Sequence, residues 1–202
     1  MNLAVILNRH ALYRPNPLAV IYGEQRFTYA EFNRRVNRLA HGLLRVGIAK
    51  GDKIATILPN TLELLEIYWA AAKIGAVVVP LSNLLRGQGL ARLLNDADTA
   101  LVVTDRAFVE HLDPLRTDFP NIRSDRFFLI DAEDMPGYSP YRALVTDLPD
   151  TNPTGIEIHP DDPYNIIYSS GTTGLPKGIV LTHRIRVLYG LVFGAAYRIT
   201  PE

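Results

Sequence analysis

Cysteine is absent from this 202-residue chain. Without it there is no disulfide, no thiolate metal ligand and no cysteine nucleophile, and the absence fits a protein of a reducing compartment. Net charge is absent too, because 21 Lys and Arg residues balance 21 Asp and Glu residues. Nothing global therefore draws the surface to nucleic acid or to anionic membranes, and we expect no nucleic-acid partner.

Long apolar runs are missing as well. The apolar run 3–7 has no basic residue ahead of it and is too short for the core of a signal peptide. The longest other apolar stretch, 68–85, is interrupted by lysine, glycine, proline, serine and asparagine. A membrane-spanning segment is therefore not expected, and we predict a cytoplasmic protein.

The residues that are present are typical of a folded protein. Hydrophobic residues make up 48% of the chain and charged residues 21%, unlike disordered chains. Residues 19–29 predict a hairpin around Gly23, and Thr28 and Glu31 form a capping-box pattern that begins an amphipathic helix ending at Gly47. Its polar face carries Arg34, Arg35, Arg38 and Arg45. We interpret these arginines as a solvated face rather than a dedicated binding patch.

Predicted strands and helices then alternate along the chain. The predicted strands are 54–58, 76–79, 100–103 and 127–130, and the predicted helices are 62–74 (capped by Asn60), 89–95 and 106–116. Strand, helix and strand within about thirty residues form a βαβ unit, which implies parallel strands. Helix 62–74 is apolar nearly all round, so we expect it to be buried between layers. The sequence thus predicts an α/β fold over residues 1–130, a parallel sheet with flanking helices from βαβ units.

Residues 131–163 have a different character, since they are rich in aspartate, glutamate and proline. This composition predicts an irregular acidic connection. Its carboxylates match no EF-hand or other metal-ligand spacing, so we interpret them as solvated and predict no metal site. Residues 164–202 then predict two strands, 166–168 and 179–181, and a helix 183–197 capped by Thr182.

A glycine- and hydroxyl-rich stretch, YSSGTTGLPKG at residues 168–178, joins these two strands. Glycine permits positive φ and brings backbone N–H groups close to a ligand, so a loop of this kind that ends in lysine suits a polyphosphate. A flexible linker is the alternative, which the flanking strands and the stiff Leu175–Pro176 pair weaken. A P-loop NTPase is disfavoured, because Lys177 follows Pro176 and precedes Gly178, whereas a Walker sequence needs Gly-Lys followed by Ser or Thr.

Residues 168–183 closely resemble the AMP-binding signature of the acyl-adenylate-forming enzymes, which include acyl-CoA synthetases, peptide-synthetase adenylation domains and luciferases. Residues 30–51 are similar to the family's first helix and 58–85 to its βαβ segment, and these stretches are most like those of fatty acyl-CoA and aryl-CoA ligases. The resemblance implies the large N-terminal domain of an adenylate-forming enzyme. It also implies that a carboxylate attacks the α-phosphate of ATP, and that a thiol, usually of coenzyme A, then displaces AMP.

The resemblance further implies which residues contact the phosphates. They are Ser169, Ser170, Gly171, Thr172, Thr173, Gly174 and Lys177. Thr172 and Thr173 are the expected direct hydroxyl donors, and Lys177 is the expected catalytic cation, which shares with Mg²⁺ the neutralisation of the departing pyrophosphate. His183 is interpreted as a packing or capping residue, with a role beside the loop as the alternative. Tyr168 is interpreted as a strand packing residue rather than a ligand.

Members of this family continue with motifs for adenine, ribose and magnesium and with a small C-terminal domain, none of which is found in residues 1–202. We therefore expect an N-terminal fragment of a longer synthetase, inactive alone, whose uncovered apolar faces would permit a homo-oligomer. The expected partners are a small-molecule carboxylic acid, ATP and coenzyme A. The alternative is a non-catalytic module, complete in 202 residues, that binds a phosphate ligand or a partner protein.

Overall fold

The computed structural model describes residues 2–169 and 176–199. Within them the helices are α1 (Ala4–Tyr13), α2 (Tyr29–Arg45), α3 (Leu62–Ile74), α4 (Gly87–Asp96), α5 (Val109–Leu112) and α6 (His183–Ala196). The strands are β1 (Leu18–Tyr22), β2 (Gln25–Thr28), β3 (Lys53–Ile57), β4 (Val77–Pro80), β5 (Thr99–Thr104), β6 (Phe127–Leu129), β7 (Ser139–Pro140), β8 (Pro163–Ser169) and β9 (Lys177–Thr182).

A seven-stranded sheet in the order β7-β6-β5-β3-β4-β8-β9 forms the centre of the molecule. Its neighbouring strands pair in parallel except for β9, which pairs antiparallel with β8. The prediction of a mostly parallel sheet flanked by helices is confirmed. All three segments predicted from the sequence contribute strands to this one sheet, so the divisions at residues 130 and 163 mark changes of composition rather than separate sheets.

The central strands are buried on both faces, and each face has its own core. Ile54 and Val78 point into a core formed with α1, α2 and α3. Their neighbours Ala55 and Val79 point into a second core formed with α4 and α5. This alternation follows from the two-residue period of a strand. It explains why these strands read as continuous apolar runs rather than as alternating patterns.

Helix boundaries depend on local capping, and here the predictions were partly wrong. The capping box of Thr28 and Glu31 begins α2 as predicted. Helix α3, however, is capped by the side chain of Thr61, whose oxygen accepts from the backbone N–H of Leu64, and not by Asn60. The predicted helix 106–116 is broken into two 3₁₀ turns around the short α5. The break coincides with Pro114, which has no N–H to continue an α-helical ladder.

Helix α1 has no counterpart among the predictions. Its N-cap residue, Leu3, makes no side-chain capping bond, but the side-chain oxygen of Asn2 accepts from the backbone N–H of Val5 at 3.3 Å. Tertiary contacts stabilise the helix further. Leu7 is buried in the first core, and the His10 ring stacks on Tyr29 with 4.7 Å between centroids.

The arginine face of α2 and the acidic connection are less solvated than predicted, because they bind each other. Asn37 Nδ2 donates to the backbone carbonyl of Asp150 at 2.6 Å, and Arg38 pairs with the Asp150 carboxylate at 3.2 Å. Farther along, Lys50 pairs with Asp162 at 2.7 Å. The connection also contains β7 and a 3₁₀ turn, Tyr141–Leu144. Residues 131–163 therefore lie across the helices that cover the first core, and we call this segment the strap.

Helix α3 is buried as predicted, yet it carries two buried charged residues. Glu66 accepts from Arg35 Nε at 2.5 Å and from the Tyr141 hydroxyl at 2.9 Å, and burial raises the pKa of its carboxyl. Lys73 donates to the amide oxygens of three asparagines, Asn8, Asn33 and Asn152. Burial lowers the pKa of Lys73 to about 7. These partners come from three different parts of the chain, so the polar contacts fix how α1, α2 and the strap sit on α3.

Candidate functional site

The glycine-rich stretch is held by a hairpin at one side of the sheet. Strands β8 and β9 pair from Pro163 opposite Thr182 to Ser169 opposite Lys177. We call residues 166–169 and 177–180 the stem. Ser169 and Lys177 thus lie directly across from each other where the stem ends, and both are exposed to solvent. The predicted strands on both sides of the loop are present and are longer than predicted.

Of the seven predicted phosphate contacts, the structure describes two, Ser169 and Lys177. The other five, Ser170, Gly171, Thr172, Thr173 and Gly174, lie outside the described residues. The ammonium of Lys177 makes no hydrogen bond or ion pair with another described residue.

The stem extends beyond the carboxyl ends of the neighbouring parallel strands. Strand β8 is linked to β4 by the register pair Val78–Asn165, and it then runs on for four residues to Ser169. Ser169 therefore lies beyond the carboxyl ends of the parallel strands, the side on which open α/β sheets bind their ligands.

Tyr168, the first residue of the glycine-rich stretch, packs as a strand residue. Its ring lies against the second core, and its hydroxyl donates to Asp96 Oδ2 at 2.5 Å. Across the hairpin from it stands Gly178, where a Cβ atom would come within 3.2 Å of the Tyr168 ring. A glycine at this position lets the ring lie across β9.

His183 is fully buried at the start of α6, which Thr182 caps as predicted. Its Nδ1 accepts from the backbone N–H of Leu3 at 3.2 Å, and its ring lies 5.2 Å from that of Tyr164. Nε2 has no hydrogen-bond partner among the described residues. Burial lowers the pKa of His183 to about 4. The geometry fits the packing interpretation, in which a neutral imidazole joins the chain start to the helix that follows the hairpin.

Protonation of His183 is expected to destabilise the fold in acid. Its pKa falls from 6.5 to about 4 on folding, so the unfolded chain binds more protons and stability decreases as the pH falls through this window. One pKa unit corresponds to about 1.4 kcal/mol, so the loss reaches at most about 3 kcal/mol. Urea unfolding of wild type and His183→Asn at several pH values measures it. Parallel pH profiles for the two proteins would show that His183 does not titrate in this way.

Comparison with known proteins identifies the family. The family model described as AMP-binding enzyme matches residues 7–197, which include the stem and the whole signature. The chain belongs to the AMP-binding enzyme family.

Individual relatives of this AMP-binding family member are ligases. It is 33% identical over 186 residues to a long-chain-fatty-acid–CoA ligase, FadD13, of Mycobacterium tuberculosis, covering 90% of this chain and 35% of that protein. It is 33% identical over 175 residues to a fatty acid–[acyl-carrier-protein] ligase, ScoC, of Streptomyces coeruleorubidus, covering 87% of this chain and 32% of that protein. The chain thus spans about a third of the length of the curated relatives it matches.

A solved structure shows the same fold. The anthranilate CoA ligase AuaEII, in complex with anthranoyl-AMP, superposes with a TM-score of 0.89 at 23% identity, over 96% of this chain and 37% of that one. The fold that the sequence predicted is therefore confirmed.

Two further features of this AMP-binding domain concern metals and membranes. Across residues 2–169 and 176–199, no three or more His, Asp or Glu side chains converge as a metal site would need. In the same residues, no helix combines the length and the apolarity that crossing a bilayer takes.

Sequence reasoning missed two residues that shape the end of the stem, Asp96 and Gly178. Gly178 is part of the quoted motif, but its role is visible only when its strand partner is known. Asp96 lies 72 residues before Tyr168 in the chain, and no local pattern marks it.

Proposed function

We propose that this chain belongs to an enzyme that activates a carboxylic acid with ATP as an acyl-adenylate and transfers the acyl group to coenzyme A. The observation that carries the proposal is the family match over residues 7–197, which spans both strands of the stem. The relatives named above, a fatty acid–CoA ligase and a fatty acid–carrier-protein ligase, support activation of a carboxylic acid. A cytoplasmic location, where ATP and coenzyme A are available, is part of the same proposal.

Lys177 is proposed to assist the first step. A carboxylate oxygen of the acid forms a bond to the α-phosphorus of ATP while the bond to the bridging oxygen of pyrophosphate breaks, so negative charge grows on the leaving group. A cation already fixed beside that charge stabilises the transition state without reorganisation. Lys177 fits this role because it is exposed, begins β9 and stands opposite Ser169. Phosphate contacts from Ser169, Ser170, Gly171, Thr172, Thr173 and Gly174 belong to the same proposal.

The second step is proposed to transfer the acyl group to the thiol of coenzyme A. The thiol loses its proton to solvent as its sulfur bonds to the acyl carbon, and AMP leaves with the electron pair of the broken acyl–oxygen bond. One of the relatives is a carrier-protein ligase, in which the acceptor is a protein. The product assay below distinguishes the two acceptors.

Magnesium is proposed to enter with the nucleotide. Since the described residues bring no carboxylate or histidine cluster together, they do not fit a resident metal ion, and we derive no step through a protein-bound one. Mg²⁺ characteristically keeps several waters and binds substrate phosphates through few protein ligands.

Product analysis of the full-length protein tests the proposed function. With ATP, magnesium, coenzyme A and a panel of fatty and aromatic acids, we expect AMP, pyrophosphate and acyl-CoA in equal amounts. An acyl carrier protein in place of coenzyme A provides the comparison for the acceptor. ADP and phosphate as products, or no turnover with any acid, would refute the proposal.

Residues 1–202 alone are expected to form no acyl-CoA, because they span about a third of the relatives' length and positioning of both substrates supplies much of the rate enhancement. The isolated chain is also expected to self-associate, since α6 exposes Leu191 (64%) and Val192 (60%). Sedimentation velocity and the acyl-CoA assay on the purified chain measure these two outcomes. Acyl-CoA formation, or a monomer at high concentration, would contradict the respective expectation.

A further inference from the structure

The end of the stem extends past the strand beside it. Strand β4 ends at Pro80, two residues after Val78, whereas β8 continues for four residues after Asn165, so the last two residues of β8 extend about 7 Å past β4 at the usual rise per residue. Its partner β9 is the edge strand, and Ile179 and Val180 are about half exposed. Pairing between β8 and β9 alone would leave the end of the stem free to swing as a unit.

One hydrogen bond ties the end of the stem to the body of the protein, in addition to the packing of the Tyr168 ring against the second core. The Tyr168 hydroxyl donates to Asp96 Oδ2 at 2.5 Å, and it is the one side-chain hydrogen bond that joins the stem to any other part of the described chain. Asp96 is the last residue of α4, a helix whose Leu90 and Leu94 are fully buried in the second core. The carboxylate therefore stands on a fixed support.

The neighbours of Tyr168 maintain this contact. Gly178 provides the space in which the ring crosses β9. Burial, as the larger cause, and the hydrogen bond to Asp96 raise the pKa of Tyr168 far above its usual value. The hydroxyl therefore stays protonated, and a donor, at all physiological pH values. A hydrogen bond from a neutral hydroxyl to a carboxylate is stronger than one between neutral groups.

The register of the hairpin connects this contact to the phosphate site. The pair that follows Tyr168–Gly178 is Ser169–Lys177. Ser169 follows Tyr168 directly, so fixing Tyr168 leaves Ser169 only its own backbone rotations. Because Lys177 pairs with Ser169 across the hairpin, the position of Lys177 is limited as well.

We propose that Tyr168 and Asp96 are positioning residues, which hold Ser169 and Lys177 at the place where the ATP phosphates bind. This inference rests on the proposed function. Neither residue touches the nucleotide. Without the contact, ATP has to order the stem as it binds, which costs part of its binding free energy.

The kinetic test measures KM for ATP and for the acid in acid-dependent ATP–pyrophosphate exchange by the full-length protein. Tyr168→Phe and Asp96→Ala are each expected to raise KM for ATP about ten-fold, with KM for the acid unchanged. The double variant should be no worse than either single variant, because both remove the same contact. Asp96→Asn, which keeps an oxygen acceptor, should stay near wild type.

Tyr138→Phe is the matched control. Tyr138 also packs against the second core and donates to an aspartate, Asp113, at 2.8 Å, but it lies outside the hairpin. A KM for ATP that is unchanged in Tyr168→Phe, or raised equally in Tyr138→Phe, would overturn the proposal.

Hydrogen–deuterium exchange gives a second readout that needs no activity. Amides of residues 177–180 should exchange faster in Tyr168→Phe and Asp96→Ala than in wild type and Tyr138→Phe. Unchanged exchange of these amides would show that the Tyr168–Asp96 hydrogen bond does not hold the stem in place. If the wild-type protein catalyses no pyrophosphate exchange, the proposed function is wrong. The hydrogen–deuterium exchange of these amides still decides whether the Tyr168–Asp96 contact holds the stem.

Discussion

Replacing Lys177 by alanine is expected to slow adenylate formation by about ten- to a hundred-fold, since a charge-assisted hydrogen bond acting in the transition state is worth roughly 1.5 to 3 kcal/mol. Stability should change little, because the side chain is exposed and the substitution removes no described contact. Acid-dependent pyrophosphate exchange by the full-length protein measures the rate, and thermal unfolding measures the stability.

Lys53→Ala is the control for this substitution. Lys53 also begins a strand of the central sheet, but β3 lies away from the hairpin. Equal losses of exchange rate in the two variants would indicate a general effect of lost positive charge. A normal rate in Lys177→Ala would remove Lys177 from the mechanism.

Gly42→Ala is expected to destabilise the protein by about 3 kcal/mol, which lowers Tm by roughly 10 °C in a chain of this size. Gly42 lies on the buried face of α2, and a Cβ atom there would stand 1.9 Å from the carbonyl oxygen of Leu144. Backbone atoms form this obstacle, so a change of rotamer cannot remove it. The helix and the strap would have to separate.

Gly190→Ala is the matched control, since it also adds a methyl group to a helix interior. No atom lies within 4 Å of the position that the added Cβ would take. The substitution should therefore stabilise the helix by up to about 1 kcal/mol. Denaturant unfolding of both variants tests the pair. If Gly42→Ala unfolds at the wild-type midpoint, the close approach of α2 to Leu144 is not a packing constraint.

The α/β fold could be predicted because its signals are local. The alternation of apolar runs with capped helical patterns is readable within windows of ten to fifteen residues, and the capping box at Thr28 appears in the structure as expected. Helix α1 could not be found this way, since its stability comes from Leu7 and from the stacking of His10 on Tyr29. The same limit applies to Lys73, whose partners include Asn8 and Asn152.

The two strands of the candidate site were predictable because their signals are local. The apolar residues that flank the glycine-rich stretch indicated both strands, and the register places Ser169 opposite Lys177. The phosphate contacts of the stretch stay a prediction. The support of the stem was not predictable. Asp96 is an ordinary helix-terminal aspartate in the sequence, and only the packing of α4 against the second core brings it to the Tyr168 hydroxyl.

Acid-dependent exchange of labelled pyrophosphate into ATP, in the absence of coenzyme A, decides whether the protein forms an acyl-adenylate. This exchange requires reversible formation of an acyl-adenylate and no later step. For the full-length protein, we expect the label to enter ATP only when magnesium and a suitable fatty or aromatic acid are present, and Lys177→Ala to reduce the rate at least ten-fold. Label that enters ATP at the same rate without any acid, or never enters it with any acid of the panel, would show that the protein does not activate a carboxylic acid in this way.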